Sequence, residues 1–223
     1  MTQNEKTNKA VVFDLDGTLV DSLADLTDSV NWAMQRLSLP TYTSDQVRQM
    51  IGNGVSVLMQ RAITEKYSYL HATALKLQRS YYAEHSFDHT CPYKGIEQML
   101  CQLKNSGATV IVHTNKDENI AADLCKKLFG NKVDFVCGTV KDSAIKPDAR
   151  RLLSLLASLG NPTAVYCGDS EVDVATSANA GLPCVSVTWG FRDEDFLRKH
   201  GATHFVYNPS EVPNTIRRLW QEA

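Results

Sequence analysis

The sequence predicts an α/β fold: a doubly wound, mostly parallel sheet interrupted near its start by an inserted all-helical domain. Three observations support this prediction. A short apolar strand pattern opens the chain at Val11–Phe13, a stretch with only helical periodicity follows, and strand and helix patterns alternate from Pro92 onward. Alternation of this kind is typical of a parallel sheet that is covered by helices on both faces.

The opening strand ends in two carboxylates. Val11–Phe13 is too short and too rich in β-branched residues to begin a helix, and Asp14, Asp16 and Gly17 follow it. Two acids at the end of a buried strand repel each other and lose hydration unless a cation lies between them. Asp-Gly is also a common turn pair, so this stretch alone is compatible with either a turn or a functional site.

The helical stretch is predicted to contain four helices. Ser22 is a plausible N-cap of the first, Leu39-Pro40 ends it, and the loop of Gly52, Asn53 and Gly54 separates the second helix from the third. The predicted helices cover residues 23–37, 44–50, 55–62 and 71–86. The chain is therefore divided into an α/β core, residues 1–20 and 91–223, and a helical cap, residues 21–90. Because the cap follows Asp14 and Asp16 directly, it should lie over their strand end.

Strands and helices alternate through the second half of the core. Gly107 and Gly160 end two of the helices, and Pro147 stands near the first position of another. The predicted strands are Thr109–Val112, Phe135–Val136, Ala164–Cys167, Cys184–Val187 and Phe205–Val206. The predicted helices are Ile96–Lys104, Asp117–Leu128, Pro147–Leu159, Val172–Ala180 and Val212–Trp220.

Composition excludes several classes of partner. A net charge of -2 gives no reason to expect binding to nucleic acid or to an anionic membrane, and no apolar run is long enough to span a bilayer. The polar start, Met1 to Lys9, has no apolar segment typical of a secretory signal. None of the six cysteines belongs to a C-x-x-C pair, which favours reduced thiols and a cytoplasmic protein. A monomer and a homodimer are both compatible with the sequence.

Four strand exits carry the chemistry. Beyond the acids of the first strand, three further exits present polar motifs: Thr114-Asn115, Lys146-Pro147, and Gly168-Asp169-Ser170 with Asp173. Ligands of an open parallel sheet bind beyond the carboxyl ends of its strands. Carboxylates favour Mg2+, whereas a hydroxyl, loop amides and an ammonium suit phosphoryl oxygens. Each motif alone is an ordinary turn, cap or surface lysine, but together they predict Mg2+-assisted phosphoryl transfer with an aspartate as nucleophile.

In this order, and over nearly the whole chain, the four motifs resemble those of the haloacid dehalogenase superfamily, in its phosphoglycolate phosphatase-like subgroup. The resemblance implies that Asp14 attacks phosphorus to form an aspartyl-phosphate and that Asp16 acts as general acid and base. It implies a Mg2+ ion held by Asp14, the backbone carbonyl of Asp16, and Asp169, with Asp173 as a further ligand or an anchor. An aspartate at position 16 is similar to the residue that marks the phosphatases and phosphomutases of the family. A mutase-like relative has a histidine at the position of Leu26, so the leucine favours hydrolysis over mutase chemistry.

The same resemblance implies how the substrate is held. Thr114 and Asn115 would bind the transferring phosphoryl group, and Lys146 would neutralise its charge. In the cap, Gly52, Asn53 and Gly54 would face the site, because glycines let backbone amides approach an anion.

Arg61 could contact a substrate carboxylate, although an arginine on a helix is more often solvated. The predicted substrate is a small phosphorylated metabolite, 2-phosphoglycolate first. An inorganic pyrophosphatase, a sugar-phosphate phosphatase, a phosphoryl-accepting signalling receiver and a relative without activity are the alternatives.

Overall fold

The computed structural model describes residues 8–222, so residues 1–7 and 223 of the predicted core lie outside this range. Within it there are eight strands: β1 (Lys9–Phe13), β2 (Val20–Asp21), β3 (Cys91–Pro92), β4 (Thr109–Asp117), β5 (Phe135–Thr139), β6 (Thr163–Gly168), β7 (Cys184–Val187) and β8 (His204–Val206). Six of them form a parallel sheet in the order β5-β4-β1-β6-β7-β8.

Ten α-helices accompany these strands in the described residues. They are α1 (Leu23–Arg36), α2 (Ser44–Met50), α3 (Gly54–Ala62), α4 (His71–His85), α5 (Ile96–Asn105), α6 (Glu118–Phe129), α7 (Arg150–Ser158), α8 (Glu171–Ala180), α9 (Glu194–Lys199) and α10 (Val212–Glu222). The predicted α/β class with a parallel, doubly wound core is confirmed.

The central strand β1 is buried on both of its faces. Val11 and Phe13 belong to the larger apolar cluster, with side chains of α5, α6 and α10, whereas Ala10 and Val12 pack into a second cluster with α7. Burial on both faces explains why this strand is a continuous apolar run in the sequence. β1 pairs with β4 on one side and with β6 on the other, so the strand order reverses here and a crevice forms beyond its carboxyl end.

Residues 22–90, which we call the helical segment, contain α1 to α4 and a 3-10 helix at Glu65–Leu70. The segment has an apolar cluster of its own, with Val30, Met34 and Met59 among the buried members. Its two ends meet where β2 and β3 pair as an antiparallel ribbon. The Asp25 carboxylate fixes the returning chain, because it accepts hydrogen bonds from the backbone N–H of His89 and Thr90 and from the Thr90 hydroxyl.

The structure differs from the sequence predictions in several places, among them the following. The ribbon of β2 and β3 and the short helix α9 were not predicted, because strands of two residues and a helix of six carry too little periodicity. Helix α7 begins at Arg150 rather than Pro147, since a turn closed by a hydrogen bond from Asp148 N to Ile145 O precedes it. Strand β4 continues to Asp117, which caps α6. Between residues 8 and 222, no helix has the length and apolarity to cross a membrane.

Candidate active site

Most of the predicted site residues converge on one cleft of about 400 Å³ between the sheet and the helical segment. The carboxyl ends of β1, β4 and β6 are neighbours in the sheet, so their exit loops meet at its floor. The predicted residues that line the cleft are Asp14, Asp16, Gly52, Gly54, Thr114, Asn115, Lys146 and Asp169. Asp173 is fully buried behind this lining.

The Asp14 carboxylate lies where the four exits meet. Its backbone N–H still continues the sheet by donating to Cys167 O, and its Oδ1 accepts from Leu15 N and from Lys146 Nζ, at 2.7 and 2.9 Å. Among the described residues, Oδ2 has no hydrogen-bond partner. Burial, followed by the negative charge of Asp173, raises the pKa of Asp14 to about 7. Asp14 is therefore a buried carboxyl group whose Oδ2 atom has no hydrogen bond within the described residues and is available in the cleft.

Lys146 is the cation of the cleft floor. Its ammonium group lies 2.9 Å from Asp14 Oδ1 and 2.7 Å from Asp173 Oδ1, and the side chain is buried. Burial alone would lower the pKa of Lys146, but the charges of Asp14 and Asp173 raise it well above its ordinary value. The Asn115 side chain holds the lysine backbone from both sides: its Oδ1 accepts from Lys146 N, and its Nδ2 donates to Lys146 O.

Asp173 and Asp169 are fixed by the loop between β6 and α8. Ser170 and Asp173 form the capping box of α8, and Asp173 Oδ2 accepts hydrogen bonds from Asp169 N, Ser170 N and Ser170 Oγ. Asp169 itself accepts from Thr18 Oγ1 and from Phe191 N. Asp173 differs from Asp169 because it is paired with the Lys146 ammonium and does not line the cleft, which suits an anchor of Lys146 better than a direct metal ligand.

Two glycines permit this crowding. A Cβ atom at Gly168 would lie 2.2 Å from Asp173 Cγ, and one at Gly190 would lie 2.3 Å from Asp169 Cβ. Side chains at either position would collide with the acids. The carboxylates can approach the backbone this closely only because both positions lack a side chain.

The acid cluster has the chemistry of a divalent cation site. Asp14, Asp169 and Asp173 each present a carboxylate oxygen, and these atoms lie within 4.8 Å of one another. Burial raises the pKa of Asp169 well above its ordinary value, as do the charges of Asp173 and Asp14, and the pKa of Asp14 is raised as well. Lys146 therefore leaves part of the negative charge unbalanced, and hard oxygen donors of this kind fit Mg2+.

Asp16 is surrounded by residues that sequence reasoning did not assign to the site. Lys116 Nζ binds both of its oxygens, at 2.8 and 3.0 Å, and Ser22 Oγ donates to Oδ1 at 2.6 Å. The lysine also donates to the Tyr82 hydroxyl at 2.6 Å. Burial would lower the pKa of Lys116, but Asp16 and Tyr82 raise it above its ordinary value. Burial raises the pKa of Tyr82 to about 12, so the phenol is neutral.

Thr114 is buried at the end of β4, where it lines the cleft beside Asn115. Its Oγ1 accepts a hydrogen bond from Lys116 N at 3.2 Å, which leaves the hydroxyl proton free to be donated. This placement agrees with the predicted contact to a phosphoryl oxygen.

The helical segment touches the floor of the cleft through a few hydrogen bonds to its backbone. Asn115 Nδ2 donates to Gly52 O, at 3.2 Å. Arg192, which was not predicted, donates to Arg48 O and Ile51 O, at 2.9 and 2.8 Å, and forms an ion pair with Glu171. These contacts join the end of α2 to the sheet side.

Two predicted residues of the helical segment are not brought into the cleft. Arg61 is exposed, and its guanidinium donates to Met50 O and to Asn53 Oδ1, both at 2.7 Å. Neither Arg61 nor Asn53 belongs to the cleft lining, whereas the flanking Gly52 and Gly54 do. Arg61 therefore supports the loop between α2 and α3 from behind.

The three cleft residues that were not predicted differ in how far the sequence alone could have indicated them. Lys116 directly follows Thr114-Asn115 at a strand exit, so its position alone could have indicated the site. Tyr82 stands within the periodic pattern of a helix, and Arg192 in a loop without a motif. Neither carries a local signal of a role in the cleft.

Comparisons with known proteins agree with this geometry. A family model described as haloacid dehalogenase-like hydrolase matches residues 11–187. The chain is 32% identical over 225 residues to phosphoglycolate phosphatase of Caulobacter vibrioides, covering 98% of this chain and 94% of that protein. With phosphoglycolate phosphatase of Chromobacterium violaceum it shares 34% identity over 203 residues, or 87% and 91% of the two chains.

Among solved structures, the chain is similar to a candidate phosphoglycolate phosphatase from Lactobacillus delbrueckii subsp. bulgaricus. The TM-score is 0.87 at 29% identity, and the alignment covers 94% of this chain and 98% of that one. The similarity therefore extends over the sheet and the helical segment together.

Proposed function

The chain belongs to the haloacid dehalogenase-like hydrolase family, and from this we propose that it hydrolyses a small phosphomonoester by nucleophilic attack of Asp14. It is a phosphoric monoester hydrolase by its relationship to the phosphoglycolate phosphatases. The proposed mechanism is supported mainly by the hydrogen bonding of the Asp14 carboxylate. One of its oxygens is bound by Lys146 and the other is uncommitted, at the meeting point of four strand exits.

The proposed reaction has two steps. An Asp14 oxygen attacks phosphorus, the bond from phosphorus to the leaving oxygen breaks, and Asp16 supplies the proton that the leaving alcohol needs. Asp16 then takes a proton from water, which attacks the phosphorus of the aspartyl-phosphate, releases inorganic phosphate and restores Asp14. Thr114 and Lys146 would stabilise the charge on the phosphoryl oxygens, with the Asn115 side chain keeping Lys146 in place.

Mg2+ is the proposed cofactor. Asp14, Asp169 and the backbone carbonyl of Asp16 would hold it, and when bound it would reduce the repulsion between the nucleophile and the phosphate. Asp173 would act mainly as the anchor of Lys146, because its Oδ1 is paired with the lysine ammonium and the residue does not line the cleft.

The helical segment, together with Asp21, is proposed to be a cap domain of residues 21–90 that covers the cleft. It is joined to the core, residues 1–20 and 91–223, through the β2–β3 ribbon. Gly52 and Gly54 line the cleft from this side, which supports a role for their loop in substrate selection. A cap that excludes water suits turnover better than the docking of a signalling partner. The six free cysteines support a cytoplasmic location.

The proposed substrate is 2-phosphoglycolate, because the relatives that cover nearly the whole chain are phosphoglycolate phosphatases. Inorganic pyrophosphate and sugar phosphates are the competing substrates within the family. Purified protein should be assayed on all three, with Mg2+ and with a chelator in its place. We expect Mg2+-dependent release of phosphate, fastest from 2-phosphoglycolate.

Asp14→Asn tests the mechanism. Turnover should fall on the order of 10⁴-fold or more, as for the loss of a nucleophile, while the circular dichroism spectrum stays unchanged. Asp123→Asn, an exposed acid on α6, is the matched control. Full activity of Asp14→Asn would contradict the mechanism. Stable phosphorylation of the wild-type Asp14 without turnover would favour the signalling receiver.

A further inference from the structure

Lys116 connects three parts of the chain that are distant in sequence. Its ammonium group donates to Asp16 Oδ1, Asp16 Oδ2 and the Tyr82 hydroxyl, at 2.8, 3.0 and 2.6 Å. A lysine has three N–H donors, so this set is complete. The lysine comes from the end of β4, the acid from the turn after β1, and the tyrosine from α4 of the helical segment.

The burial of this arrangement makes it different from a surface ion pair. The Lys116 side chain is only 5% exposed and that of Asp16 16%. Exposed pairs are mobile and contribute little, whereas an enclosed ammonium must keep its partners to compensate for lost hydration. Contacts to both carboxylate oxygens keep the Asp16 carboxylate turned toward the ammonium group, and the hydrogen bond from Ser22 Oγ gives it a second fixed point.

The helical segment supplies the remaining partners. Ser22 Oγ, just before α1, donates to Asp16 Oδ1 at 2.6 Å, and the Tyr82 hydroxyl accepts the third hydrogen bond of the Lys116 ammonium group. If the helical segment moved away, the Tyr82 contact would break and the Ser22 contact would be displaced. The sheet alone would leave the Lys116–Asp16 pair without its outer support.

We propose that Lys116 is a positioning residue that orients Asp16 toward the leaving oxygen, and that Tyr82 makes this orientation depend on a closed helical segment. The proposal rests on the proposed function, since it assumes that Asp16 protonates the leaving group. Neither Lys116 nor Tyr82 needs to touch the phosphoryl group for this role.

A leaving-group comparison separates positioning from general damage. An alkyl leaving group needs the proton from Asp16, whereas p-nitrophenolate is stable as an anion and leaves without it. Asp16 also activates water in the second step, which is the same for both substrates, so the comparison uses kcat/KM, which reports the step that releases the leaving group. Lys116→Met should lower kcat/KM roughly 10- to 100-fold on the best alkyl phosphomonoester, a part of the usual effect of general acid catalysis. On p-nitrophenyl phosphate the loss of kcat/KM should stay within about 3-fold.

Tyr82→Phe gives a second, milder test, because it removes a single hydroxyl and keeps the ring. We expect a loss of roughly 3- to 10-fold on the alkyl substrate only, as for one hydrogen bond. Tyr81→Phe, on the adjacent position of α4, and Lys199→Met, on the exposed face of α9, are the matched controls. Both controls should retain wild-type kinetics on both substrates.

Each outcome has one interpretation. Equal losses of kcat/KM on both substrates, or none, in Lys116→Met would overturn the positioning role, and an unchanged kcat/KM in Tyr82→Phe would overturn the dependence on the helical segment. If Lys116→Met does not fold, Tyr82→Phe alone decides the proposal. A wild-type protein that hydrolyses no phosphomonoester would contradict the proposed function itself, which is a distinguishable result.

Discussion

The two sides of the cleft are built from different interactions. On the sheet side, Asp14, Lys146 and Asp173 form a chain of buried charges with atoms less than 3 Å apart, held by strand ends and a helix cap. On the helical side, the lining is mostly apolar, and the contacts to the sheet are a few hydrogen bonds, several of them to backbone carbonyls. We infer that the sheet side determines the position and charge of the nucleophile, whereas access, selection and the orientation of Asp16 depend on the helical side, which can move with few hydrogen bonds broken.

Among the changes that leave the nucleophile in place, Asp173→Asn should have the largest effect, because Asp173 belongs to the chain of buried charges on the sheet side. The amide can still accept from Lys146, but its NH2 group would face the N–H groups of Asp169 and Ser170. Removing one partner of a buried pair costs roughly 3–5 kcal/mol, and a displaced Lys146 should lower kcat by at least about 100-fold. Urea unfolding and steady-state kinetics measure the two effects.

The matched control for this prediction is Asp123→Asn, where the free energy of unfolding should change by less than about 0.5 kcal/mol. If Asp173→Asn lowered stability without lowering kcat, the Asp173–Lys146 pair would be structural only, and the proposed division between the two sides would be wrong.

The next effect is a pH dependence of stability that belongs to Asp14. Its pKa is raised to about 7 in the folded protein by burial and by Asp173, so the folded state holds the proton more tightly than the unfolded chain does. Its contribution is therefore favourable at low pH and is lost as the pH rises from about 4 to 7. Asn at position 14 does not titrate, so the free energy of unfolding of Asp14→Asn should rise relative to that of the wild type as the pH increases from about 4 to 7.

Unfolding measured with a chelator between pH 4 and 8 tests this difference. Addition of Mg2+ above pH 7 should reduce the difference in unfolding free energy between Asp14→Asn and the wild type, since the ion would stabilise only the folded wild type with its ionised carboxylate. A difference between wild type and Asp14→Asn that is constant with pH would show that Asp14 is not desolvated in this way.

The sheet side could be predicted from the sequence because its signals are local. Buried parallel strands are continuous apolar runs, and in such a fold the residue types at each strand exit indicate the site. Asp14, Thr114, Lys146 and Asp169 were found in this way, and the structure brings them to one cleft. Some boundaries were predicted less well: a turn delays the start of α7 by three residues after Pro147, and β4 continues to Asp117.

The contacts of the helical side could not be predicted in the same way. Tyr82 meets Lys116 across 34 positions, and Arg192 meets Ile51 across 141, so no periodicity connects them. The β2–β3 ribbon has no detectable sequence pattern either, because two residues on each strand are too few to show alternation. These features depend on how the helical segment lies against the sheet, which is a property of the tertiary fold.

Arg192→Met weakens the connection between the two sides. It removes the donors to Arg48 O and Ile51 O and leaves Glu171 without its partner. Because hydrogen bonds from a charged group contribute roughly 1.5–3 kcal/mol, we expect KM to rise at least about 10-fold, with a smaller change in kcat. Kinetics together with faster proteolysis at the β2–β3 ribbon would support a looser helical segment. A collapse of kcat at constant KM would instead place Arg192 in the chemistry.

Arg61→Met should have the smallest effect, and it is the matched counterpart of the Arg192 variant. Both arginines donate to carbonyls at the end of α2, but Arg61 lies within the helical segment, is exposed and does not line the cleft. Its loss should cost less than about 1 kcal/mol of stability and leave KM within about 2-fold of wild type. A 10-fold rise in KM for a substrate with a carboxylate, but not for one without it, would instead favour the direct contact predicted from the sequence.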